Sequence, residues 1–274
     1  MKVSVIISTY NSPAWLEKVL WGYECQTYKD FEVVIADDGS AEPTRKLIER
    51  FQRESSLAII HVWHEDRGFQ KSEILNKATV AATTDYLLFS DGDCIPRKDF
   101  VEVHVRRAQP GRFLSGGYFM LSMETSQLIT REDVVSGRAF ETAWLYEHGL
   151  PKTFKTLKLT SRGWRERFMN FITPTKATWN GHNSSGWKKD ILSVNGFNEQ
   201  MQYGGQDREL GERLVNKGIE GKQIRYSAVC IHLDHKRGYK TPESIQKNKT
   251  IRRETRNRQK TWTEFGIVKD TIPA

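Results

Sequence analysis

Two carboxylates, Asp91 and Asp93, flank a single glycine directly after the apolar run Tyr86-Leu87-Leu88-Phe89. A short continuous apolar run reads as a buried strand. A strand ending in Asp-Gly-Asp carries its acids to the carboxyl edge of the sheet, where open α/β sheets bind ligands. Hard divalent cations prefer carboxylate oxygens and are commonly held together with phosphate. Asp-Gly is equally an ordinary turn pair, so the motif alone leaves a turn and a metal site both open.

Placing such a pair requires a sheet, and the first hundred residues supply its pattern. Strand-like runs cover residues 3–8, 31–36, 57–62 and 86–89, and helical spacing covers 13–26, 44–51 and 71–82. Alternating β and α elements predict an α/β fold with a mainly parallel sheet flanked by helices. Residues 113–121 read as a strand interrupted by Gly116-Gly117. Residues 131–178 are rich in aromatic and basic side chains and read as a helical insertion, either over the site or simply covering the sheet. Residues 179–205 are turn-rich, 207–217 a helix, and 225–233 a last strand.

The strand ends share a chemistry. The first ends in Ser8-Thr9-Tyr10-Asn11, the second in Asp37-Asp38-Gly39-Ser40 and the fourth in Asp91-Gly92-Asp93. In a parallel sheet these converge on one edge. Tyr10 can pack on a nucleobase, and Asp38 can accept hydrogen bonds from its ring N–H or from ribose. Each segment alone also makes a good helix cap or turn.

The chain has 274 residues, with 38% hydrophobic and 28% charged, which favours a folded protein over a disordered one. Its apolar stretches are too short to span a bilayer, and the N-terminus runs into a strand pattern without the apolar core of a signal peptide. Three unpaired cysteines fit a reducing cytoplasm. The net charge is +8, and residues 236–274 hold eleven Lys/Arg against four Asp/Glu. A basic segment of this kind suits anionic lipid, nucleic acid or a charged glycan, or is a solvated helix.

Taken together, Val3 to Asn11, Gln26-Thr27-Tyr28, Val34 to Ser40 and Asp91-Gly92-Asp93 resemble glycosyltransferase family 2. Gly181-His182-Asn183, Asn195 to Glu199 and Gly204 to Leu210 resemble the acceptor-side segment of its chondroitin-polymerase-like and galactosyltransferase-like members. The resemblance covers roughly residues 1–237. It implies a GT-A domain with a nucleotide-binding half over 1–115 and an acceptor-side half over 116–237, followed by a basic extension over 238–274.

The resemblance also implies an inverting, metal-dependent hexosyltransferase that uses a nucleotide-sugar donor, a UDP-sugar with Mn²⁺ or Mg²⁺. It implies a glycan or lipid-linked acceptor. Ser8, Thr9, Tyr10, Asn11 and Asp38 would line the nucleotide pocket, with Gly92 beside it. Asp91 and Asp93 would hold ribose and metal, with His232 a third metal ligand and His235 its rival. Arg67 and Lys71 would contact donor phosphates. Trp179, Gly181, His182, Asn183, Gly205 and Gln206 would face the sugars, and Trp187 is a further candidate for stacking. Asp207 would be the general base; the usual Glu-Asp pair is Gln206-Asp207 here. From its charge, and not from the resemblance, the basic extension is expected to touch the inner face of a membrane.

Other readings fit less well. No Gly-rich loop follows the first strand, as a sugar-1-phosphate nucleotidyltransferase or a dinucleotide enzyme would need. A glycosidase wants two carboxylates flanking the bond and no nucleotide pocket. A non-catalytic binding protein would not need Asp91, Asp93 and Asp207 together. Nucleic-acid binding rests on the basic segment alone.

Overall fold

A computed structural model describes residues 1–235 and 241–269. Its strands, in chain order, are β1 (Val3–Thr9), β2 (Phe31–Asp37), β3 (Ile59–Trp63), β4 (Tyr86–Asp91), β5 (Cys94–Pro96), β6 (Arg112–Ser115), β7 (Gly117–Met120), β8 (Ser184–Trp187), β9 (Glu220–Gln223) and β10 (Val229–His232). Seven of them form one sheet in the order β3-β2-β1-β4-β8-β6-β9, and β5, β10 and β7 form a second. The four N-terminal strands are parallel, as the alternating pattern predicts. Their register levels the strand ends: Thr9 lies opposite Asp37, and Ser8 opposite Asp91.

Burial on both faces explains the near-continuous apolar runs of these strands. Successive side chains of a strand point to opposite faces. Val3, Val5, Ile7, Val33, Ile35 and Leu88 pack on one side with α1 (Pro13–Glu24), α2 (Glu42–Glu54) and α4 (Phe100–Arg107). Ile6, Val34, Ala36, Leu87 and Phe89 pack on the other with α3 (Lys71–Ala81), α10 (Lys188–Ser193) and α11 (Gln206–Asn216).

Gly116-Gly117, read as an interruption, is the point where the chain leaves the large sheet for the small one. A Cβ on Gly116 would stand 1.9 Å from Asn183 Oδ1, and one on Gly117 2.2 Å from the Arg225 carbonyl. Both positions therefore exclude a side chain. Three strands escaped the sequence reading. β5 and β9 are short, and β8 lies in the turn-rich stretch with the sequence Ser-Ser-Gly-Trp. β8 runs antiparallel to both neighbours, so the sheet is mostly rather than wholly parallel.

The insertion resolves into short helices, among them α5 (Met123–Leu128), α6 (Arg131–Ser136), α7 (Thr142–Glu147), α8 (Leu157–Thr160) and α9 (Gly163–Ile172). It is not one uniform lid. Phe140, Trp144, Leu145 and Leu159 join the core, while Phe154, Trp164, Phe168 and Phe171 are exposed.

The basic extension is integrated rather than trailing. α12 (Pro242–Asn257) packs on α11: Thr255 Oγ1 donates to Glu209, and Arg252 pairs with Glu212 at 2.5 Å. Residues 236–240, where that extension begins, and 270–274 at its end lie outside the described residues.

Candidate functional site

The loops after β1 and β2 are locked to each other before any ligand is considered. The Asp38 amide donates to the Thr9 carbonyl at 3.0 Å, and the Asn11 amide to Ser40 Oγ at 2.8 Å. Asn11, at φ 44°, turns its side-chain oxygen to the Ala41 amide at 2.8 Å. The Gly92 amide donates to the Ser8 carbonyl at 2.8 Å, and a Cβ there would lie 3.0 Å from that carbonyl. Gly92 is thus the residue that lets the β4 end close onto β1.

The two carboxylates of the Asp-Gly-Asp turn have different partners. Asp91 Oδ1 accepts from Ser8 Oγ at 2.7 Å and from Lys71 Nζ at 2.6 Å. Burial would raise the Asp91 pKa, but the Lys71 cation outweighs it and the carboxyl is held below its ordinary value. Asp93 faces histidines: His235 Nε2 lies 3.0 Å from one carboxylate oxygen and His232 Nε2 3.8 Å from the other. Burial opposes ionisation here too, yet the His235 hydrogen bond and the His232 charge carry the Asp93 pKa well down.

Lys71, the first residue of α3, is the hub. Burial alone would strip its charge; Asp91, Asp93 and Asp207 together reverse that and raise its pKa. The carboxylate after β4 and the one on α11 are therefore close in space although they are more than a hundred residues apart. Gly181 joins them. Its amide donates to Asp207 Oδ2 at 3.1 Å, and its Cβ position is 3.9 Å from both Lys71 Nζ and Asp207 Cβ. Asp207 sits in the first turn of α11, where a negative charge favours the helix dipole, and its other oxygen accepts from the Arg208 amide at 2.8 Å. Gly205, at φ 93°, is the cap itself. Gln206 is buried and turns its side-chain oxygen back to the Gly204 amide at 3.2 Å.

His182 follows Gly181 and stands edge-on to Tyr118, with ring centroids 4.6 Å apart. Burial pushes its pKa down to about 4, so it is neutral near pH 7. His232 donates from Nδ1 to the Leu233 carbonyl at 2.9 Å. A carbonyl can only accept, so Nδ1 carries a proton, and Nε2 is the ring nitrogen that faces Asp93, 3.8 Å away. Asp93, Cys94 and His232 bring ligand atoms within 4.8 Å of one another. Burial drives the Cys94 thiol far above its ordinary pKa, and thiols are poor partners for hard cations. The carboxylate–imidazole pair fits a hard divalent ion; Cys94 does not.

Several expected residues are placed elsewhere. Trp179 is wholly buried between Phe89 and Phe113, with centroids at 5.4 and 5.5 Å, so it offers no face to a sugar. Asn183 is wholly buried as well. Its amide donates to the Gly117 and Ala228 carbonyls at 2.7 and 3.0 Å, and its oxygen faces His104 Nε2 at 2.9 Å. That is structural work at the sheet switch, not sugar contact. Trp187 stacks edge-on to Tyr86, at the opposite end of β4 from Asp91. Arg67 pairs with Glu73 at 3.1 Å instead of pointing to the carboxylates. Lys71 binds Asp91 directly. Ser8 serves Asp91, and Asp38 is held by His64 at 2.8 Å and by the Gln70 amide at 3.0 Å. Tyr10 stays half-exposed, its hydroxyl donating to Asp66 at 2.8 Å. The Thr9 hydroxyl is buried beside Gly92 without a hydrogen-bond partner.

His64, Asp66 and Tyr118 went unremarked in the sequence. His64 and Asp66 follow the third strand, so the strand-end rule that singled out Asp38 and Asp91 would have reached them. Tyr118 carries no such signal. A recess of about 610 Å³ between α1 and α2, spanned by Arg50 and Glu17, contains none of these groups.

The model for glycosyl transferase family 2 matches residues 4–177, well over half of the sequence. The chain belongs to that family. A second model, for the N-terminal domain of galactosyltransferase, matches residues 172–236 and so takes in Asp207 and His232. An uncharacterized glycosyltransferase, YfnE of Bacillus subtilis, is 26% identical over 90% of this chain and 69% of its own length. Validoxylamine A glucosyltransferase of Streptomyces hygroscopicus subsp. jinggangensis is 30% identical over 79% of this chain, which spans about half (52%) of that enzyme. Chondroitin synthase of Escherichia coli is 26% identical over 84% of this chain and 34% of its own.

Among solved structures, the mannosyltransferase PcManGT of Pyrobaculum calidifontis, in complex with GDP-Man and Mn²⁺, superposes with a TM-score of 0.59 at 19% identity, covering 92% of this chain and 69% of that one. S. aureus TarS residues 1–349 with UDP-GlcNAc gives 0.59 at 16%, covering 92% and 65%. The family member described here is thus a glycosyltransferase with a GT-A fold. Among the described residues no helix is long and apolar enough to cross a membrane.

Proposed function

We propose that this glycosyltransferase moves a sugar from a UDP-sugar to a hydroxyl of a glycan or lipid-linked glycan, with inversion and with the help of Mn²⁺ or Mg²⁺. The observation that carries the reading is the convergence of Asp91, Asp93 and Asp207 around Lys71. Two of these carboxylates end a parallel strand beside the loops of β1 and β2. The third approaches from α11 through Gly181.

In this reading Tyr10 stacks on the uracil, with Asp38 and the loop Ser8 to Asn11 shaping the pocket. Asp93 and His232 would hold the cation, which would supply Lewis-acid charge at the diphosphate leaving group. Asp91, already fixed by Lys71 and Ser8, faces the ribose side. Asp207 takes the proton from the attacking hydroxyl, and only one base is needed for a single in-line displacement. The Gly181 amide orients that carboxylate, and His182, neutral at working pH, lines the sugar space without adding charge. The exposed cations of α12, Lys247, Lys249 and Arg253 among them, are proposed to touch an anionic membrane surface; loss of binding to anionic liposomes when they are replaced by Gln would support this, and unchanged partitioning would refute it.

The direct test is a panel of nucleotide sugars assayed for donor hydrolysis with and without Mn²⁺. The reading expects metal-dependent release of UDP from one or a few UDP-sugars. Preference for another nucleotide, or full activity in a chelator, would overturn the donor or the metal assignment respectively.

A further inference from the structure

Three cations gather beside the proposed acceptor space with no acid to balance them. Lys158 of α8 sets Nζ 5.7 Å from the Tyr118 ring centroid and donates to the Tyr118 carbonyl at 3.3 Å. The backbone of Arg225 lies next door, its carbonyl so close to Gly117 that a Cβ there would clash at 2.2 Å. Arg208 follows Asp207 on α11 and is exposed. Tyr118 in turn contacts His182 and His232, with centroids at 4.6 and 5.7 Å. The cluster thus adjoins both the proposed base and the proposed metal pair.

Several other cations of the molecule are neutralised by an acid. Arg213 has Glu209, Arg138 has Asp133 and Arg252 has Glu212. Among the described residues, none of Lys158, Arg208 and Arg225 has a carboxylate within ion-pair distance, and the buried Nε of Arg225 has no hydrogen-bond partner. Burial lowers the pKa of Lys158 and of Arg225, and the charges of Arg225 and Arg208 respectively lower them further. Like charges held together this way destabilise the empty protein, and an anion would relieve them. Arginine's fork matches carboxylate and phosphate geometry in particular.

We propose that Lys158, Arg208 and Arg225 form an anion subsite on the acceptor side, so that the acceptor carries a carboxylate or phosphate near the hydroxyl that is glycosylated. The proposal rests on the transferase reading above. It places the anion on the acceptor rather than the donor because Arg208 directly follows the proposed base Asp207 on α11, whereas the proposed uridine pocket is built from the loops after β1 and β2.

The test uses the full chain with UDP and Mn²⁺ present. Binding of three probes is compared by ligand-observed NMR at low ionic strength: p-nitrophenyl glucoside, p-nitrophenyl glucuronide and glucose 6-phosphate. The glucuronide, the phosphate or both should bind roughly tenfold or more tightly than the neutral glucoside, the scale of one charge-assisted hydrogen bond. Which probe wins identifies the anion. Lys158→Gln and Arg225→Gln, each verified as folded by thermal melting, should bring the charged probes down to the neutral level and leave UDP affinity within a few-fold. Equal binding of all three probes to the unaltered protein would overturn the subsite. So would parallel loss of UDP affinity in the variants, which would put the cluster on the donor side. Failure of the unaltered protein to bind UDP would instead count against the transferase reading.

Discussion

The two sides of the site are held in place by different means. Around β1, β2 and β4 the backbone does most of the positioning: strand register levels the ends, and loop amides bond directly to loop carbonyls at Thr9 and Ser8. Beyond Ser115 the chain is more irregular, and side chains bind its carbonyls. Asn183 serves Gly117 and Ala228, and Arg213 serves Val194 and Gly196. Asn195 serves Thr263 and Val268, and Asn248 serves Gln202, Tyr203 and Gly204. Buried carbonyls need partners wherever regular structure does not supply them. The second side therefore depends on single residues in a way the first does not.

On the first side, disruption should be chemical rather than structural. Asp93→Ala removes the carboxylate that faces His232 and His235 without opening the core. We expect metal-dependent binding of the donor to fall by a hundredfold or more, with little change in melting temperature. Isothermal titration with the nucleotide sugar and Mn²⁺ checks this; unchanged affinity would remove Asp93 from the metal site.

On the second side, the same kind of truncation should unfold. Arg213 and Glu209 are an almost wholly buried pair on α11, and Arg213 also holds the 194–196 turn. Removing one partner of such a pair typically costs about 3–5 kcal/mol. Arg213→Ala should lose that much in urea unfolding, and a loss under about 1 kcal/mol would show that the turn is held by other contacts.

The buried His104 gives a smaller and pH-dependent contrast. It sits between Ser185 and Asn183, and burial pushes its pKa down to about 4. In the unfolded chain it titrates near 6.5. Between those values the unfolded state binds a proton that the folded state does not, so stability falls as pH drops from about 6.5 toward 4 and levels off below. At pH 5 the deficit from this residue is about 2 kcal/mol. Replacing it with Gln should flatten that part of the stability–pH curve; an unaltered slope would mean that other groups cause it.

The contrast also explains what was readable. Continuous apolar runs and strand-end chemistry announce β1, β2 and β4 and their acids directly. β8 does not announce itself, because Ser184-Ser185-Gly186 is buried for close packing and carries no apolar signature. Trp179 and Asn183 lie in a stretch whose motif matched, and the sequence could not tell a motif residue that faces a ligand from one that fills the core under it. Trp179 packs between two phenylalanines, and Gly211 on α11 lets its backbone and Cβ approach; a Cβ there would sit 2.7 Å from Trp179 Cβ. The histidines were legible as residues but not as a pair. Only the fold shows that His232 and His235 both face Asp93.

In the proposed division of labour, the carboxylates after β4 hold the leaving group and Asp207 activates the incoming hydroxyl. Asp207→Asn keeps the shape and one of the two hydrogen bonds accepted from backbone amides but removes the proposed base. Single-turnover transfer and donor titration on that one variant separate the two roles. Transfer is expected to slow by roughly 10²- to 10⁴-fold, with donor affinity within a few-fold of the unaltered enzyme. Near-normal transfer, or loss of donor binding in step with loss of transfer, would contradict it.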